Sequence, residues 1–159
     1  MARTIHKIHS LETLQPLVDR WRFAGDCVVF TNGCFDLLHA GHTSYLEESA
    51  GHGDRLVVGL NSDQSVQRLK GKSRPIVGQA ERAQMLAALE CVDAVILFEE
   101  DTPLNTMLAL KPDVITKGAD YDIKDVVGAQ EVAAWGGRAE LIPLVEGLST
   151  SQIIEKLKK

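Results

Sequence analysis

The stretch that decides the fold is residues 31–42, which read Thr31-Asn32-Gly33-Cys34-Phe35-Asp36-Leu37-Leu38-His39-Ala40-Gly41-His42. An apolar run, residues 27–30, ends where this stretch begins, and a helical pattern starts where it ends. Its two histidines are three positions apart, and a glycine directly precedes the second. This order is typical of a strand, a turn and a helix N-terminus that presents backbone N–H groups and imidazoles to a phosphate.

The composition is that of one ordinary domain, with 159 residues of which 45% are hydrophobic and 25% charged. We expect a single domain over residues 1–159, with an N-terminal helical extension over 1–25 and a catalytic core over 26–159. The net charge of −5 argues against a nucleic-acid partner. No apolar run approaches the roughly 20 residues that span a bilayer, so we expect no membrane partner. Three cysteines at unpatterned spacing argue against a disulfide framework and predict a cytoplasmic protein.

Apolar runs alternate with helical patterns along the chain. We predict strands over residues 27–31, 55–60, 94–98, 114–116 and 139–144. Helices are predicted over residues 10–23, 41–50, 81–89 and 125–135, and from residues 62, 102 and 149 onward. Ser10, Thr102 and Ser149 are the predicted N-caps; Leu69 is expected to face inward, and Pro16 is awkward inside the first helix. The alternation predicts an α/β fold, a Rossmann-like three-layer αβα domain with a five-stranded, mainly parallel sheet.

Polar residues without another explanation collect in five loops, residues 31–42, 61–63, 70–78, 117–121 and 145–151. In parallel sheets, ligands bind beyond the carboxyl ends of the strands. Since these loops follow strands or flank the same edge, we expect them to converge on one site.

The His39-Ala40-Gly41-His42 segment has three interpretations. The two histidines can be surface residues near a helix start, or zinc ligands together with Cys34, although the spacing fits no common zinc pattern. Alternatively, imidazolium N–H groups bind the oxygens on which charge grows during phosphoryl or nucleotidyl transfer, and Gly41 allows close backbone approach. The buried strand before the segment and the helix after it favour phosphate chemistry.

Three further motifs are ambiguous on their own. Lys70-Gly71-Lys72 is a solvated loop or a mobile basic loop that closes over a triphosphate; it is no P-loop, because residue 66 is valine. Residues 117–121 form a turn or a strand-end loop near a base. Residues 149–152, Ser-Thr-Ser-Gln, are a capping box, and their three hydroxyls also suit a phosphate.

Together these residues resemble the HxGH nucleotidylyltransferase superfamily, here as His39-Ala40-Gly41-His42. Residues 32–39 resemble its cytidylyltransferase-like branch. Residues 61–63, 68–75, 98–103 and 117–121 are similar to the enzymes of that branch that adenylate D-glycero-β-D-manno-heptose 1-phosphate. The resemblance covers about residues 26–159. It implies AMP transfer from ATP to that sugar phosphate, giving ADP-heptose and pyrophosphate for lipopolysaccharide core synthesis.

The resemblance also implies a role for each matching residue. The catalytic set is His39, His42 and Lys72. The nucleotide-binding set is Thr31, Asn32, Gly33, Cys34, Phe35, His39, Gly41, His42, Arg82, Lys117, Gly118, Asp120, Ser149, Thr150 and Ser151. The sugar-phosphate set is Asp36, Asn61, Asp63, Lys70 and Arg74. Mg²⁺ is implied with ATP and without dedicated protein ligands; a homodimer and a separate sugar kinase are the implied partners.

One departure from the family pattern bears on the nucleotide. Glycerol-phosphate cytidylyltransferases carry an Arg-Thr pair before the Glu-Gly of the last signature, where this chain has Leu144 and Val145. That weakens a cytidylyl interpretation and leaves the adenylyl one intact. A glycerol- or alditol-phosphate cytidylyltransferase remains the alternative enzyme, and a non-catalytic nucleotide-binding regulatory module is the alternative of another class.

Overall fold

A parallel sheet carries the fold in the computed structural model, which describes residues 4–158. Among these residues the sheet has six strands, in the order β1-β4-β3-β2-β5-β6, and every neighbouring pair is parallel. The strands are β1 Ile8–His9, β2 Val28–Gly33, β3 Arg55–Asn61, β4 Ala94–Phe98, β5 Val114–Gly118 and β6 Arg138–Ile142. The Rossmann-like α/β prediction is confirmed, but the predicted number of five strands is wrong by one. The additional strand, β1, is two residues long and pairs with Val95 and Ile96 at the sheet edge.

Helices connect the strands, and four of the seven in the described residues begin at a side-chain cap. They are α1 Leu11–Phe23, α2 Ala40–Ala50, α3 Asp63–Lys70, α4 Gln79–Ala87, α5 Leu104–Leu110, α6 Ala129–Ala134 and α7 Thr150–Leu157. Short 3-10 helices cover Ile5–Lys7 and Ile123–Asp125. Ser10, Ser62 and Ser149 each accept a hydrogen bond from the backbone N–H three residues later, which stabilises the first turn.

Both faces of the sheet are buried, as a parallel sheet requires. Leu56 and Val58 of β3 belong to a core that includes Leu46 of α2 and Leu86 of α4. Val57, between them, faces the other core, with Met107 of α5 and Val132 of α6. Side chains that alternate along β3 therefore contact two helical layers, which makes the three-layer arrangement.

Helix α1, near the N-terminus, packs on the face of the sheet from which the Val57 side chain projects. Leu14 and Val18 are fully buried in the same core as Val57. Helix α1 therefore packs on the sheet within the described residues, while residues 1–3 of the predicted extension, and residue 159, lie outside them.

Four local predictions need correction. The helix predicted over residues 125–135 is only α6, because Gly128 at φ +88° separates it from the preceding 3-10 helix. Helix α5 has Pro103 as its N-cap residue and no side-chain cap, so Thr102 does not cap it. Leu69 is 48% exposed rather than inward. Pro16, predicted to be awkward inside the first helix, lies within a continuous α1. No helix in the described part of the chain is long and apolar enough to cross a membrane.

Candidate active site

A cleft of about 620 Å³ opens at the carboxyl ends of β2, β3 and β5. Its floor is apolar, with Phe30, Met107 and Ile115, and its walls are the loops that the sequence predicted to converge. The predicted residues that line it are Asn32, Gly33, Cys34, Phe35, Asp36, His39, Gly41, His42, Asn61, Lys70, Arg74, Lys117, Gly118, Asp120, Ser149, Thr150 and Ser151. Four of the predicted site residues do not line the cleft: Thr31, Asp63, Lys72 and Arg82.

The two histidines lie against each other at the wall of the cleft. Their ring centroids are 3.8 Å apart with 22° between the ring planes, and Phe35 meets His42 edge-on at 5.4 Å. His39 is the N-cap of α2, because its Nδ1 accepts a hydrogen bond from the Gly41 N–H at 3.1 Å. A ring nitrogen that accepts is unprotonated, so the His39 proton is on Nε2. His39 Nε2 and His42 Nδ1 are buried and have no hydrogen-bond partner among the described residues.

The environment keeps both histidines neutral. Burial, and then the nearby His39, lower the pKa of His42 to about 4 from 6.5, although Asp36 opposes the shift. Burial also lowers the pKa of His39. At neutral pH the pair is therefore uncharged, and not the imidazolium pair that the sequence predicted. A neutral imidazole still donates one N–H, so His39 retains its capacity to bind a phosphate oxygen.

Gly41 is required by close packing around the His39 ring. A Cβ at this position would lie 2.9 Å from His39 Cε1 and 3.2 Å from Leu148 Cβ. The sequence predicted that Gly41 allows close backbone approach to a phosphate; in the structure its own N–H donates to His39 Nδ1. The glycine thus allows the cap, the imidazole and the loop before α7 to meet.

The phosphate turn, residues 33–39, has an unusual backbone. Phe35 and Leu37 adopt φ angles of 46° and 51°, in the left-handed region that bulky residues rarely enter. Such conformations persist only where the surroundings impose them, and they are common at functional sites. Two hydrogen bonds hold this backbone in place. The Arg82 guanidinium donates to the Cys34 carbonyl at 2.6 Å, and the Thr150 hydroxyl donates to the Asp36 carbonyl at 2.6 Å.

Arg82 lies beneath the cleft rather than in it. Its side chain is 1% exposed, and it donates to the carbonyls of Cys34, Asn61 and Val77 and to Asp63 Oδ1 at 2.6–2.9 Å. The predicted direct contact with the nucleotide is therefore replaced by a structural role, because each of its three nitrogens is bound by the protein. Asp63, predicted to bind the sugar phosphate, is the carboxylate partner of Arg82.

Thr31 and Asn61 also differ from their predicted roles. Thr31 is fully buried and shares a hydrogen bond of 2.8 Å with the Tyr45 hydroxyl, so its side chain faces helix α2 and not the nucleotide. The Asn61 side chain lines the cleft but donates to Ser65 Oγ at 2.9 Å. Both residues hold strand ends to the helices that follow them.

Positively charged side chains of the basic loop and of the end of β5 line the cleft. Lys70 and Arg74 come from the basic loop, residues 70–78, and Lys117 comes from β5. The Lys117 ammonium lies 3.5 Å from Asn32 Oδ1 and 5.4 Å from the centroid of the Tyr121 ring. Burial lowers the pKa of Lys117. Lys72 is exposed and outside the lining, so it reaches the cleft only if the loop tip moves.

The fold and the cleft can now be compared with known proteins. The family model described as cytidylyltransferase-like matches residues 30–156. The chain belongs to the cytidylyltransferase-like family.

Relatives at high sequence identity agree with this family. The chain is 58% identical over 151 residues to the bifunctional protein HldE of Methylobacillus flagellatus, covering 95% of this chain and 31% of that one. It is 56% identical over 150 residues to HldE of Koribacter versatilis, covering 94% of this chain and again 31% of the relative. The chain thus spans about a third of the length of these relatives.

Two solved structures are also similar. A lipopolysaccharide core biosynthesis protein from Thermoplasma volcanium is 34% identical, with a TM-score of 0.63, covering 76% of this chain and 98% of that one. Pantoate-beta-alanine ligase from Francisella tularensis shares the fold, with a TM-score of 0.61 at 14% identity, covering 95% of this chain and 76% of that one.

Residues of the cleft that the sequence did not predict include Tyr45 and Asp101. Tyr45 is three positions after His42 on α2, on the same helix face, so helical periodicity was the available signal. In this member of the cytidylyltransferase-like family, Tyr45 supports Thr31 beneath the phosphate turn.

No cluster of three or more histidine, cysteine or acidic side chains is placed to hold an ion over residues 4–158. The zinc interpretation of Cys34, His39 and His42 is therefore not supported for this family member.

Proposed function

We propose that this chain is a nucleotidyltransferase that moves AMP from ATP to D-glycero-β-D-manno-heptose 1-phosphate, releasing pyrophosphate and forming ADP-heptose for lipopolysaccharide core synthesis. The observation that carries the proposal is the stacked His39–His42 pair, with two buried, unpartnered nitrogens among the described residues, at the wall of a cleft that also holds Lys70, Arg74 and Lys117. A triphosphate supplies the acceptor oxygens and the negative charge that this arrangement lacks. The similar structure of a lipopolysaccharide core biosynthesis protein supports the same pathway.

In the proposed mechanism, an oxygen of the sugar phosphate attacks the α-phosphorus in line, and pyrophosphate leaves. His39 Nε2–H donates to an α-phosphate oxygen as charge grows on it, while the cleft cations neutralise the other phosphates. The hydroxyls of Ser149 and Ser151, at the start of α7, lie where a phosphate benefits from the helix N-terminus. Catalysis is positioning and charge stabilisation, without a covalent enzyme intermediate.

Mg²⁺ is proposed to arrive with ATP. The acidic, histidine and cysteine side chains of residues 4–158 form no cluster that fits a resident ion. Mg²⁺ commonly keeps several waters and binds through substrate phosphates, so the nucleotide and water are its proposed ligands.

The nucleobase is proposed to lie near residues 117–120, where Gly118 and Asp120 line the cleft. Leu144 and Val145 line the same cleft and are 51% and 43% exposed. Glycerol-phosphate cytidylyltransferases, which this chain resembles, have an Arg-Thr pair at these two positions. The apolar side chains here therefore support ATP rather than CTP as the nucleotide.

A substrate panel tests the proposed function. Pyrophosphate release is measured with ATP and with CTP, each against heptose 1-phosphate, other sugar 1-phosphates and glycerol 3-phosphate. We expect release with ATP and heptose 1-phosphate, and its loss in His39→Ala. Release with CTP and an alditol phosphate would indicate the cytidylyltransferase instead. ATP binding with no release for any acceptor would indicate a regulatory nucleotide-binding module.

The organisation around this activity is also a proposal. We propose a single domain over residues 1–159, supported by the burial of Leu14 and Val18 of α1 in the core beside the sheet. A homodimer is proposed, with the 97% exposed Phe23 as a surface that light scattering of a Phe23→Ser variant can test. A sugar kinase is proposed to supply the acceptor. The three free cysteines support a cytoplasmic location.

A further inference from the structure

Asp36 lies where three segments of the cleft meet. Its carboxylate accepts hydrogen bonds from Arg74 Nε at 2.7 Å, from the Ile76 N–H at 2.8 Å and from the Val77 N–H at 3.0 Å. Its carbonyl accepts from the Thr150 hydroxyl at 2.6 Å. The Asp36 side chain is 0% exposed, so the protein and not a ligand occupies its oxygens. This differs from the sugar-phosphate contact that the resemblance implied for it.

Arg74 uses only one of its three nitrogens in this contact. Its Nε is bound to Asp36, and its two terminal nitrogens donate no hydrogen bond to any residue from 4 to 158. The side chain is 13% exposed and lines the cleft. A guanidinium held at Nε by a buried carboxylate has a fixed plane, and its two terminal N–H₂ groups remain for a phosphate.

The contact between Asp36 and Arg74 also fixes the C-terminal side of the basic loop. The Arg74 N–H donates to the Gly71 carbonyl at 3.1 Å, closing a turn whose tip holds Lys72 and Ser73. Gly71 has φ +100°, and a Cβ added at this position would meet no atom within 4 Å, so the packing around it is open. On the far side, Asp36 binds the backbone at residues 76 and 77. The position of the loop tip is therefore set by the turn that the Arg74 N–H closes and by the hydrogen bonds to the Asp36 carboxylate.

We infer that Asp36 is a positioning residue, which orients Arg74 toward the sugar phosphate and ties the basic loop to the phosphate turn. The orientation of Arg74 toward a sugar phosphate rests on the proposed function. The attachment of the basic loop to the phosphate turn does not. Burial alone raises the pKa of Asp36, and the hydrogen bonds from residues 76, 77 and 74 outweigh it and lower the pKa below 3.8. The carboxylate is therefore ionised at neutral pH, as the contact with Arg74 requires.

A double-mutant cycle tests whether Asp36 acts through Arg74. Asp36→Asn places an amide N–H₂ against existing donors, and Arg74→Ala removes the guanidinium. We expect each to lower kcat/KM for the sugar phosphate by about 10²-fold, since misplacement by about 1 Å has that effect. The double variant is expected to lose little more than either single variant. The Kd for a non-hydrolysable ATP analogue, from calorimetry, is expected to change by less than about threefold. Multiplied losses in the double variant would overturn the inference.

Limited trypsin digestion tests the tie without using transfer activity. Cleavage after Lys70 and Lys72 is expected to be about 10- to 100-fold faster in Asp36→Asn, the range for losing a charge-assisted hydrogen bond. Glu140→Gln is the matched control, because Glu140 also contacts an arginine Nε at 2.8 Å but is 36% exposed; its cleavage and kinetics are expected to match the wild type. Should Asp36→Asn fail to fold, Arg74→Ala, in the loop, carries the same measurement.

The two experiments separate failure of the inference from failure of the proposed function. If no acceptor releases pyrophosphate while Asp36→Asn is cut faster, the tie stands and the transfer reaction is wrong. If the wild type is active and Asp36→Asn is cut at the wild-type rate with kcat/KM unchanged, Asp36 has no positioning role.

Discussion

The His39 side chain has two roles that two substitutions can separate. Nδ1 caps helix α2 by accepting from the Gly41 N–H at 3.1 Å. Nε2 is buried, carries the proton and has no partner among the described residues, so it is the donor proposed for the α-phosphate. Asparagine is among the best N-cap residues but is too short to replace Nε2, whereas alanine provides neither function.

The expected magnitudes follow from this division. Loss of one donor to a developing oxyanion lowers kcat by about 10²–10³-fold, or about 2.7–4 kcal/mol, so both His39→Asn and His39→Ala are expected to show it. Loss of an N-cap costs about 0.5–2 kcal/mol, and only His39→Ala incurs it. For a chain of this length that cost lowers Tm by roughly 1–8 °C. Both variants lose the stacking on His42, so that effect cancels in the comparison.

Pyrophosphate release at saturating substrates gives kcat, and thermal unfolding by circular dichroism gives Tm. His39→Asn is expected to be nearly inactive and nearly as stable as the wild type, while His39→Ala is expected to be inactive and less stable. If His39→Asn kept kcat within about threefold, Nε2 would not contact the transition state, and the assignment of this donor would fail.

Four other substitutions have defined outcomes. Gly41→Ala is expected to lower kcat by at least about 10-fold, because its Cβ would press on the His39 ring at 2.9 Å; wild-type kcat would show that the ring can move. Arg82→Met removes the donor to three carbonyls, and each buried group left unpaired costs about 1–3 kcal/mol, so urea unfolding is expected to show a loss of at least about 3 kcal/mol, against under about 1 kcal/mol for the exposed Arg68→Met. The pKa of His42 is about 4 when folded and 6.5 when unfolded, so the unfolded chain binds more protons between these values and stability rises with pH there; His42→Phe is expected to flatten that rise in Tm, and an unchanged slope would contradict it. Lys72→Ala is expected to lower kcat more than affinity for an ATP analogue, because the exposed tip reaches the cleft only on closure, and the opposite pattern would refute this.

Local signals account for what the sequence predicted correctly about the fold. Strand β4 occupies residues 94–98 as predicted, because a short apolar, β-branched run is a direct signal for a buried strand. Ser10 and Ser149 cap helices because hydroxyl caps act within three residues. Strand β1 has no such signal: two residues have no period, and their pairing with Val95 depends on where α1 places them.

The sequence predicted the location of the candidate site better than the direction of its side chains. The predicted loops meet at one cleft because strand order and chain direction determine where strand ends lie. Whether an arginine at that edge faces a ligand or the protein depends on neighbours that are distant in sequence. Arg82 binds Cys34, 48 residues away, and Arg74 binds Asp36, 38 residues away. Residue type indicated charge and hydrogen bonding at both positions, and only the packed structure distinguishes the buried one from the one in the cleft.

The neutral histidine pair determines how charge must be divided in the cleft. With a pKa of about 4, His42 contributes no positive charge at neutral pH, and His39 contributes one directed N–H. The charge of the proposed triphosphate is therefore left to Lys70 and Lys117, which approach from the basic loop and from β5, while Arg74 is left for the sugar phosphate. Lysine ammonium groups are compact point charges, whereas the Arg74 guanidinium, held by Asp36, is oriented. Directed donors at the reacting phosphate and adaptable cations around the leaving group are what an in-line nucleotidyl transfer needs, because only the α-phosphate changes geometry during the reaction.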